Sequence, residues 1–324
     1  MKTKGSRRKP LRNSQAIFVP LADVPDLIWR VTRKLDSSNH FADMDQAGGK
    51  NTDFDGKTLL DLCRDEANVD PLVWQRFYES LGVRPKNQGA LPFRVWQIFD
   101  AMVAAVHNSD MPRYVCAAGI LAHYVGDACQ PLHISHLHHG ADEEGKGVHA
   151  AYETQMLNRF TLDLVQRVAR VPHKVLPLVG TGREAAIATI ALMRRTIRRL
   201  PPQRIVDVYT STRGRDQMVR MWNEFGRETV ACVADGAQTL AMIWKSAWKA
   251  GGGDRLPKAK LVTVSQDELR KLYDDLTFLP AARLPDMVEW LRPKTRTLEN
   301  GRIPLRPLKS KREPRLPRRS RVLT

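Results

Sequence analysis

Hydrophobic residues recur along this chain at steps of three and four, the spacing that places them on one face of an α-helix. In residues 92–107, the residues that share such a face are Val95, Ile98, Phe99, Met102, Val103 and Val106. Residues 112–129 are apolar on nearly every side, which predicts a buried central helix that ends before Pro131. A polar or charged side chain on that helix therefore needs a partner.

The same period predicts three further helices, over residues 148–171, 183–200 and 215–249. The last of them has a candidate break near Gly226 or Gly236. After residue 250, Ser265 and Glu268 have the spacing of a capping box that opens a short helix. No segment shows a convincing alternation of apolar and polar residues typical of a β-strand. The pattern therefore predicts an all-α protein built as a multi-helix bundle.

Charge and composition divide the chain into three parts: a basic tail over residues 1–13, a helical domain over 14–250, and an extension over 251–324 that is Pro-rich and basic from about residue 293. The net charge of +17 comes mainly from the two ends. Such tails can contact phosphate backbones or anionic lipid, although solvated ends are the commoner use of such runs. No apolar run predicts a membrane span, and no secretory signal is visible at the basic start.

Cysteine usage points away from a thiolate site. The four cysteines are scattered and form no CxxC pair. We expect them to be small buried residues rather than a disulfide framework. Metal chemistry, if present, is therefore expected from histidine and carboxylate side chains.

Five candidate metal ligands are regularly spaced within 31 residues: His123, Asp127, His133, His149 and Glu153. His–x3–Asp on the central helix and His–x3–Glu on the next helix each place two side chains on one helix face. Imidazole and carboxylate are ligand types that suit zinc. A single pair of this kind is more often a hydrogen-bonded core pair, but two pairs with a flanking histidine favour a metal site. We interpret His136, His138 and His139 in the intervening polar turn as loop residues near the mouth of the site, not as ligands.

The segments HYVGDACQPLH and GVHAAYE resemble the signature of the zinc-dependent phospholipase C and single-strand-specific zinc nuclease superfamily over residues 123–153. Residues 21–45 and the helix LPFRVWQIFD match more loosely. The resemblance implies an all-α fold with a zinc cluster between its helices. It also implies hydrolysis of phosphodiester bonds, in single-stranded nucleic acid or phospholipid, by metal-activated hydroxide.

The resemblance further implies which residues hold each metal ion. One zinc ion would be bound by His123, Asp127, His40 and Asp26, with Asp23 as the alternative to Asp26. A second would be bound by His133, His149 and Glu153, and Asp127 would bridge to a third. Asp26 would also be catalytic, orienting or deprotonating the attacking water.

The chain departs from the family pattern at the third zinc ion. Family members bind it through an N-terminal tryptophan and a nearby histidine, whereas residues 1–39 contain no histidine and the first tryptophan is Trp29. Two or three zinc ions are therefore expected, depending on whether a segment precedes this chain. Family members are usually exported, and the sequence leaves location and oligomeric state open. Two alternatives remain: a non-catalytic helical protein with structural zinc, and a basic nucleic-acid-binding protein.

Overall fold

The computed structural model describes residues 19–34, 36–140 and 142–291. Two helices are composite: α1 (Leu21–Asp23, 3₁₀; Pro25–Trp29, π; Arg30–Thr32, α) and α6 (Val148–Ala150, α; Ala151–Met156, π; Leu157–Ala169, α). The others are α2 (Leu59–Leu62), α3 (Pro71–Ser80), α4 (Leu91–His107), α5 (Met111–Ala128), α7 (Gly182–Arg199), α8 (Pro202–Ser211), α9 (Gln217–Ala250), α10 (Gln266–Asp274) and α11 (Leu284–Leu291). Short 3₁₀ turns, among them Asp36–Asn39 and Pro131–Ile134, join them.

The all-α prediction is confirmed. Within the described residues the only β-type pairings are two isolated bridges, Ala47 with Thr58 and Gly48 with Asp55. The predicted helices 92–107, 112–129, 148–171, 183–200 and 215–249 correspond to α4, α5, α6, α7 and α9. The capping box at Ser265 and Glu268 is formed at the start of α10.

Helix α9 runs unbroken through both glycines that were candidate breaks. Gly236 serves packing instead, because a Cβ atom there would lie 2.6 Å from the Sγ atom of Cys129. The missing side chain lets α9 approach the end of α5, the helix that carries His123 and Asp127. The expected break was therefore wrong, since a tolerated glycine and a helix end look alike in sequence.

The core lies mainly between α4, α5, α7 and α9, which contact one another. Its large buried side chains include Trp29, Trp74, Phe93, Phe99 and Ile120. A second apolar cluster joins α6, α8 and the first half of α9 through Tyr152, Met156, Ile205 and Phe225. All four cysteines are buried and free, as expected.

Residues 251–291 fold back onto the beginning of the described chain. The indole of Trp29 donates to the carbonyl of Tyr273 at 2.8 Å. The buried guanidinium of Arg33 donates to the carbonyls of Phe278 and Leu279 at 2.9 and 2.7 Å. The boundary near residue 250 remains a prediction, but the segment after it packs against Trp29 and Arg33.

The two basic tails lie outside the described residues. Residues 1–13 and those from about 293 onward, on which the polyanion prediction rests, receive no structural account. Among the described helices, none is both long and apolar enough to span a membrane.

Candidate metal centre

The helices bring together all seven predicted ligands. Helix α5 carries His123 and Asp127, and the turn after it carries His133. Helix α6 carries His149 and Glu153, while Asp26 and His40 come from the segment that precedes α2. Two groups result, Asp26–His40–His123 and His133–His149–Glu153, and within each group the ligand atoms lie within 4.8 Å of one another.

In the first group the ligand atoms converge on one point. Nδ1 of His40 lies 2.9 Å from Nε2 of His123 and 3.1 Å from Oδ2 of Asp127. Oδ1 of Asp26 is 3.9 Å from both histidine nitrogens. Asp26 rather than Asp23 belongs to this group. Two ligands on a tetrahedral zinc ion, each at about 2.0–2.1 Å, stand roughly 3.3 Å apart, so these separations fit an ion at the centre.

The second group is more tightly spaced and lies at a more open position. Nε2 of His149 lies 3.1 Å from Nε2 of His133 and 2.5 Å from Oε2 of Glu153. The same oxygen is 3.1 Å from Nε2 of His133. The side chain of Glu153 is 34% exposed, against 6% for that of Asp127. Two histidines and one glutamate form a ligand set found in catalytic zinc sites, which leave a position open for water.

Asp127 lies between the two groups. Its Oδ2 atom faces His40 and His123, at 3.1 and 3.5 Å. Its Oδ1 atom is 3.5 Å from Nδ1 of His133. A carboxylate buried to this degree is costly unless paired or coordinated. The bridging role expected for Asp127 is compatible with this position and remains a prediction.

Hydrogen bonds at the outer ring atoms set which nitrogen faces the centre unprotonated. Nδ1 of His123 contacts the carbonyl of Ala22, and Nδ1 of His133 contacts the carbonyl of His40, each at 2.8 Å. A carbonyl only accepts, so both Nδ1 atoms carry the proton, and in the neutral ring Nε2 carries a lone pair. Nε2 of His40 contacts Asp36 at 2.8 Å, so in the neutral ring Nδ1 carries the lone pair that points inward. Such outer contacts are typical of metal-ligating histidines.

The pKa shifts of these groups indicate that positive charge is stabilised at the centre. Burial lowers the pKa of His40, but its hydrogen bonds to Asp127 and Asp36 outweigh burial and raise it to about 9. Burial also lowers the pKa of His133, but Asp127 and Glu153 outweigh burial and raise it to about 9. Burial alone would raise the pKa of Glu153, yet its bonds to His133 and His149 hold it far below its usual range. Protons therefore occupy the cluster in the metal-free protein.

Two of the carboxylates lie on π-helical turns. Asp26 belongs to the π segment of α1 and Glu153 to that of α6. A π turn contains one residue more than an α turn, and such turns occur often at functional sites. Gly147, with φ +93°, precedes α6 and sets its start just before His149. The sequence pattern predicted α6 as a uniform helix and gave no sign of the π segment.

Three partner residues were not predicted. Asp36 contacts His40 and accepts from the hydroxyl of Tyr124 at 3.0 Å. The side-chain amide nitrogen of Gln130 donates to Glu153 at 3.3 Å, and its side-chain oxygen accepts from the backbone N–H of His133. Asp36 precedes His40 by four residues, the spacing that identified the other pairs, so this signal was present in the sequence. Tyr124 is fully buried, so it packs in the core and does not reach a substrate.

The turn histidines lie beside the second group. The ring centroid of His139 is 6.5 Å from that of His149. His136 instead contacts Asp45 at 2.9 Å, and His138 lies 3.8 Å from Asp43. None of the three belongs to either ligand group. Their assignment as loop residues near the mouth of the site fits this geometry.

Comparison with known proteins gives a relative whose name bears on the activity. No family model matches the chain, and no solved structure does. A protein of Bradyrhizobium tropiciagri named a probable serine protease is 34% identical over 329 aligned residues. The alignment covers 82% of this chain and 41% of the relative, so the chain spans about two-fifths of the relative's length.

This finding overturns the expected activity. A zinc-dependent phosphodiester hydrolase, whether nuclease or phospholipase C, is contradicted by a relative that carries the name of a protease. The physical reason is that histidine and carboxylate spacing can at most indicate a metal site, whereas the bond cleaved is chosen by groups that contact the substrate. The resemblance of residues 123–153 to the zinc phospholipase and nuclease superfamily stays a prediction.

Proposed function

We propose that this chain is a metal-dependent hydrolase that holds zinc ions in the two ligand groups and cleaves peptide bonds. The observation that carries the metal assignment is the convergence of histidine nitrogens and carboxylate oxygens on one position. Nε2 of His123 and Nδ1 of His40 lie 2.9 Å apart, and a carboxylate oxygen of Asp127 faces both. Two ring nitrogens this close repel each other unless a cation or a proton lies between them; a proton has that place in the metal-free protein, and zinc would replace it.

The open ligand group supports hydrolysis rather than a purely structural metal. A structural zinc site is closed by four protein ligands, while His133, His149 and Glu153 supply three, and His149 and Glu153 remain partly exposed. Zinc bound in such a set supplies Lewis acidity and lowers the pKa of a water molecule that reaches it. The name of the relative favours the peptide bond as the bond class.

The side chains around the ions have separate tasks. Asp36 and the carbonyl of Ala22 hold the rings of His40 and His123 in orientation. Gln130 steadies Glu153 and the backbone of His133. Asp26 has a side chain that is 40% exposed, so its carboxylate can accept a proton from an attacking water while still facing His40 and His123.

The test combines metal content with peptide cleavage. The full chain, purified without chelator, should contain about two zinc ions and cleave an unstructured peptide library, and dipicolinate should abolish cleavage until zinc is restored. His149→Ala should lose one zinc ion and cleavage together. His107→Ala, at the exposed end of α4, is the matched control and should change neither. A chain that binds no zinc, or that cleaves equally after its zinc is removed, contradicts the proposal.

A second candidate, serine-type hydrolysis, is favoured by the name of the relative. Ser135, which follows His133 by two residues, donates its hydroxyl hydrogen to Asp45 at 2.7 Å. That hydroxyl is therefore not paired with a histidine, as an activated serine nucleophile would be. Labelling by a serine-directed fluorophosphonate, together with cleavage that survives dipicolinate, would establish this alternative and exclude the metal mechanism.

A further inference from the structure

A cavity of about 360 Å³ lies between the end of α6, the extended residues 172–180 and the middle of α9. None of the seven candidate metal ligands lines it. Helix α9 forms the floor of the cavity through Ala234, Ala237 and Ala241, whose side chains are only methyl groups and leave room above the helix. Apolar walls come from Val168, Val171, Leu176 and Met242. Its size and lining are those of a site for a small apolar molecule.

The extended segment is held over α9 at two points. Gln238 donates to the carbonyl of Pro172 at 3.1 Å. The backbone N–H of Val179 donates to the hydroxyl of Ser246 at 3.0 Å. Pro172 and Pro177 prevent the intervening residues from forming a helix that would fill the cleft. Between the anchors, Val175 is 98% exposed, so apolar surface continues from the cavity to its rim.

The rim of the cavity is cationic. Lys174 and Lys245 line it together with His173, and no aspartate or glutamate does. The one lysine ion pair among the described residues is that of Lys146 with Glu143, so neither rim lysine has a carboxylate partner there. An unpaired lysine pair beside an apolar floor matches a ligand with an apolar body and an anionic head.

We propose that this cleft binds a single-chain amphiphilic carboxylate of the fatty-acid type. The acyl chain lies along Ala234, Ala237 and Ala241, and the carboxylate meets Lys174 and Lys245 at the rim. The basic tails of the chain itself are unsuitable occupants, because residues 302–324 carry nine Lys or Arg against one acid. Like charges would keep such a segment from the two lysines.

Calorimetric titration of the full chain with dodecanoate tests the proposal independently of catalysis. Dodecanol and dodecyltrimethylammonium share the tail but lack the anionic head, and both should bind at least about tenfold more weakly. Lys174→Gln combined with Lys245→Gln should weaken dodecanoate binding by about tenfold and leave dodecanol unchanged. Lys249→Gln lies on the same helix outside the cleft and serves as the matched control.

Ala237→Trp checks the position of the acyl chain. Ala237 is exposed, so an indole can fill the cleft without entering the core, and dodecanoate binding should be lost while circular dichroism stays that of the parent chain. Unchanged binding by this folded variant overturns the proposal. So does equal affinity for the three head groups, or the absence of dodecanoate binding at millimolar concentration, which would leave the cleft to a segment of a partner protein.

Discussion

Asp36 and His40 form a buried hydrogen bond of 2.8 Å between Oδ2 and Nε2, and this contact aims the other nitrogen of His40 at the candidate metal centre. Both residues lie in or beside one short 3₁₀ turn. The carboxylate of Asp36 is held in turn by the hydroxyl of Tyr124 and lies 3.8 Å from the guanidinium of Arg94. The orientation of one candidate ligand thus depends on residues from three separate segments.

Asp36→Asn should weaken zinc binding by about tenfold to a hundredfold at the first ligand group. The amide keeps the size of the side chain but removes the charge that orients and polarises His40. Competition with a fluorescent zinc chelator measures the change, which should affect one ion of the two. Asp207→Asn, on the surface of α8, is the matched control. Equal affinity in the Asp36 variant would show that the contact does not position the ligand.

Metal-free and zinc-loaded protein should respond to pH in opposite directions. The pKa values of His40 and His133, both about 9 in the fold against 6.5 for an ordinary histidine, favour the protonated folded state. Their contribution to metal-free stability is therefore complete below pH 6.5 and is lost as the pH rises to 9. Zinc needs the unprotonated rings, so its affinity should increase over the same interval.

Thermal unfolding with and without saturating zinc, between pH 6.5 and 9, measures both trends. The melting temperature of the metal-free chain should fall as the pH rises, and the increment produced by zinc should grow. A zinc increment that shrinks toward pH 9 would show that these histidines do not bind the metal.

Asp43→Asn should stabilise the protein above pH 7 by roughly 2 kcal/mol. Burial raises the pKa of Asp43 to about 6, and its Oδ1 atom has no hydrogen-bond partner in the described part of the chain. The fold therefore binds a proton that the unfolded chain releases near pH 4, and stability is lost as the pH rises from 4 to 6. Asparagine stays neutral throughout and avoids this loss.

Urea unfolding at pH 4.5 and pH 8 measures the difference between wild type and Asp43→Asn. The gain should be present at pH 8 and small at pH 4.5. Asp53→Asn, at an exposed position, should show no such pH-dependent gain. A gain of equal size at both pH values would mean that charge burial is not the cause.

Two glycine substitutions should have opposite effects on stability. Gly236→Ala puts a methyl group against Cys129 and should destabilise the chain by roughly 1–2 kcal/mol, because overpacking outweighs the better helix propensity of alanine. Gly126→Ala meets no atom within 4 Å and should stabilise it by up to about 1 kcal/mol. Denaturant unfolding of the metal-free forms compares them, and effects of the same sign would contradict the close approach of α9 to α5.

The predictable part of this structure is what depends on local period and spacing. The helices α4 to α7 and α9 follow from steps of three and four, and His123, Asp127, His149 and Glu153 follow from pairs on one helix face. The contacts of Arg33 with Phe278 and Leu279 could not be predicted, because they join residues more than 240 positions apart. The π segments also escaped prediction, since one additional residue in a turn hardly changes an apolar pattern.

Those π segments make the site sensitive to the number of residues in a helical turn as well as to residue identity. Each ordinary α-helical residue turns the chain by about 100°, so removing one residue between His149 and Glu153 would move Glu153 to a different side of α6 relative to His149. The two side chains would then no longer share the alignment that forms the second ligand group. A gene that lost one codon here would still encode every candidate ligand, but the ligands of α6 would no longer face the same position. Searches for related sites should therefore weigh the spacing through these turns as strictly as the ligands themselves.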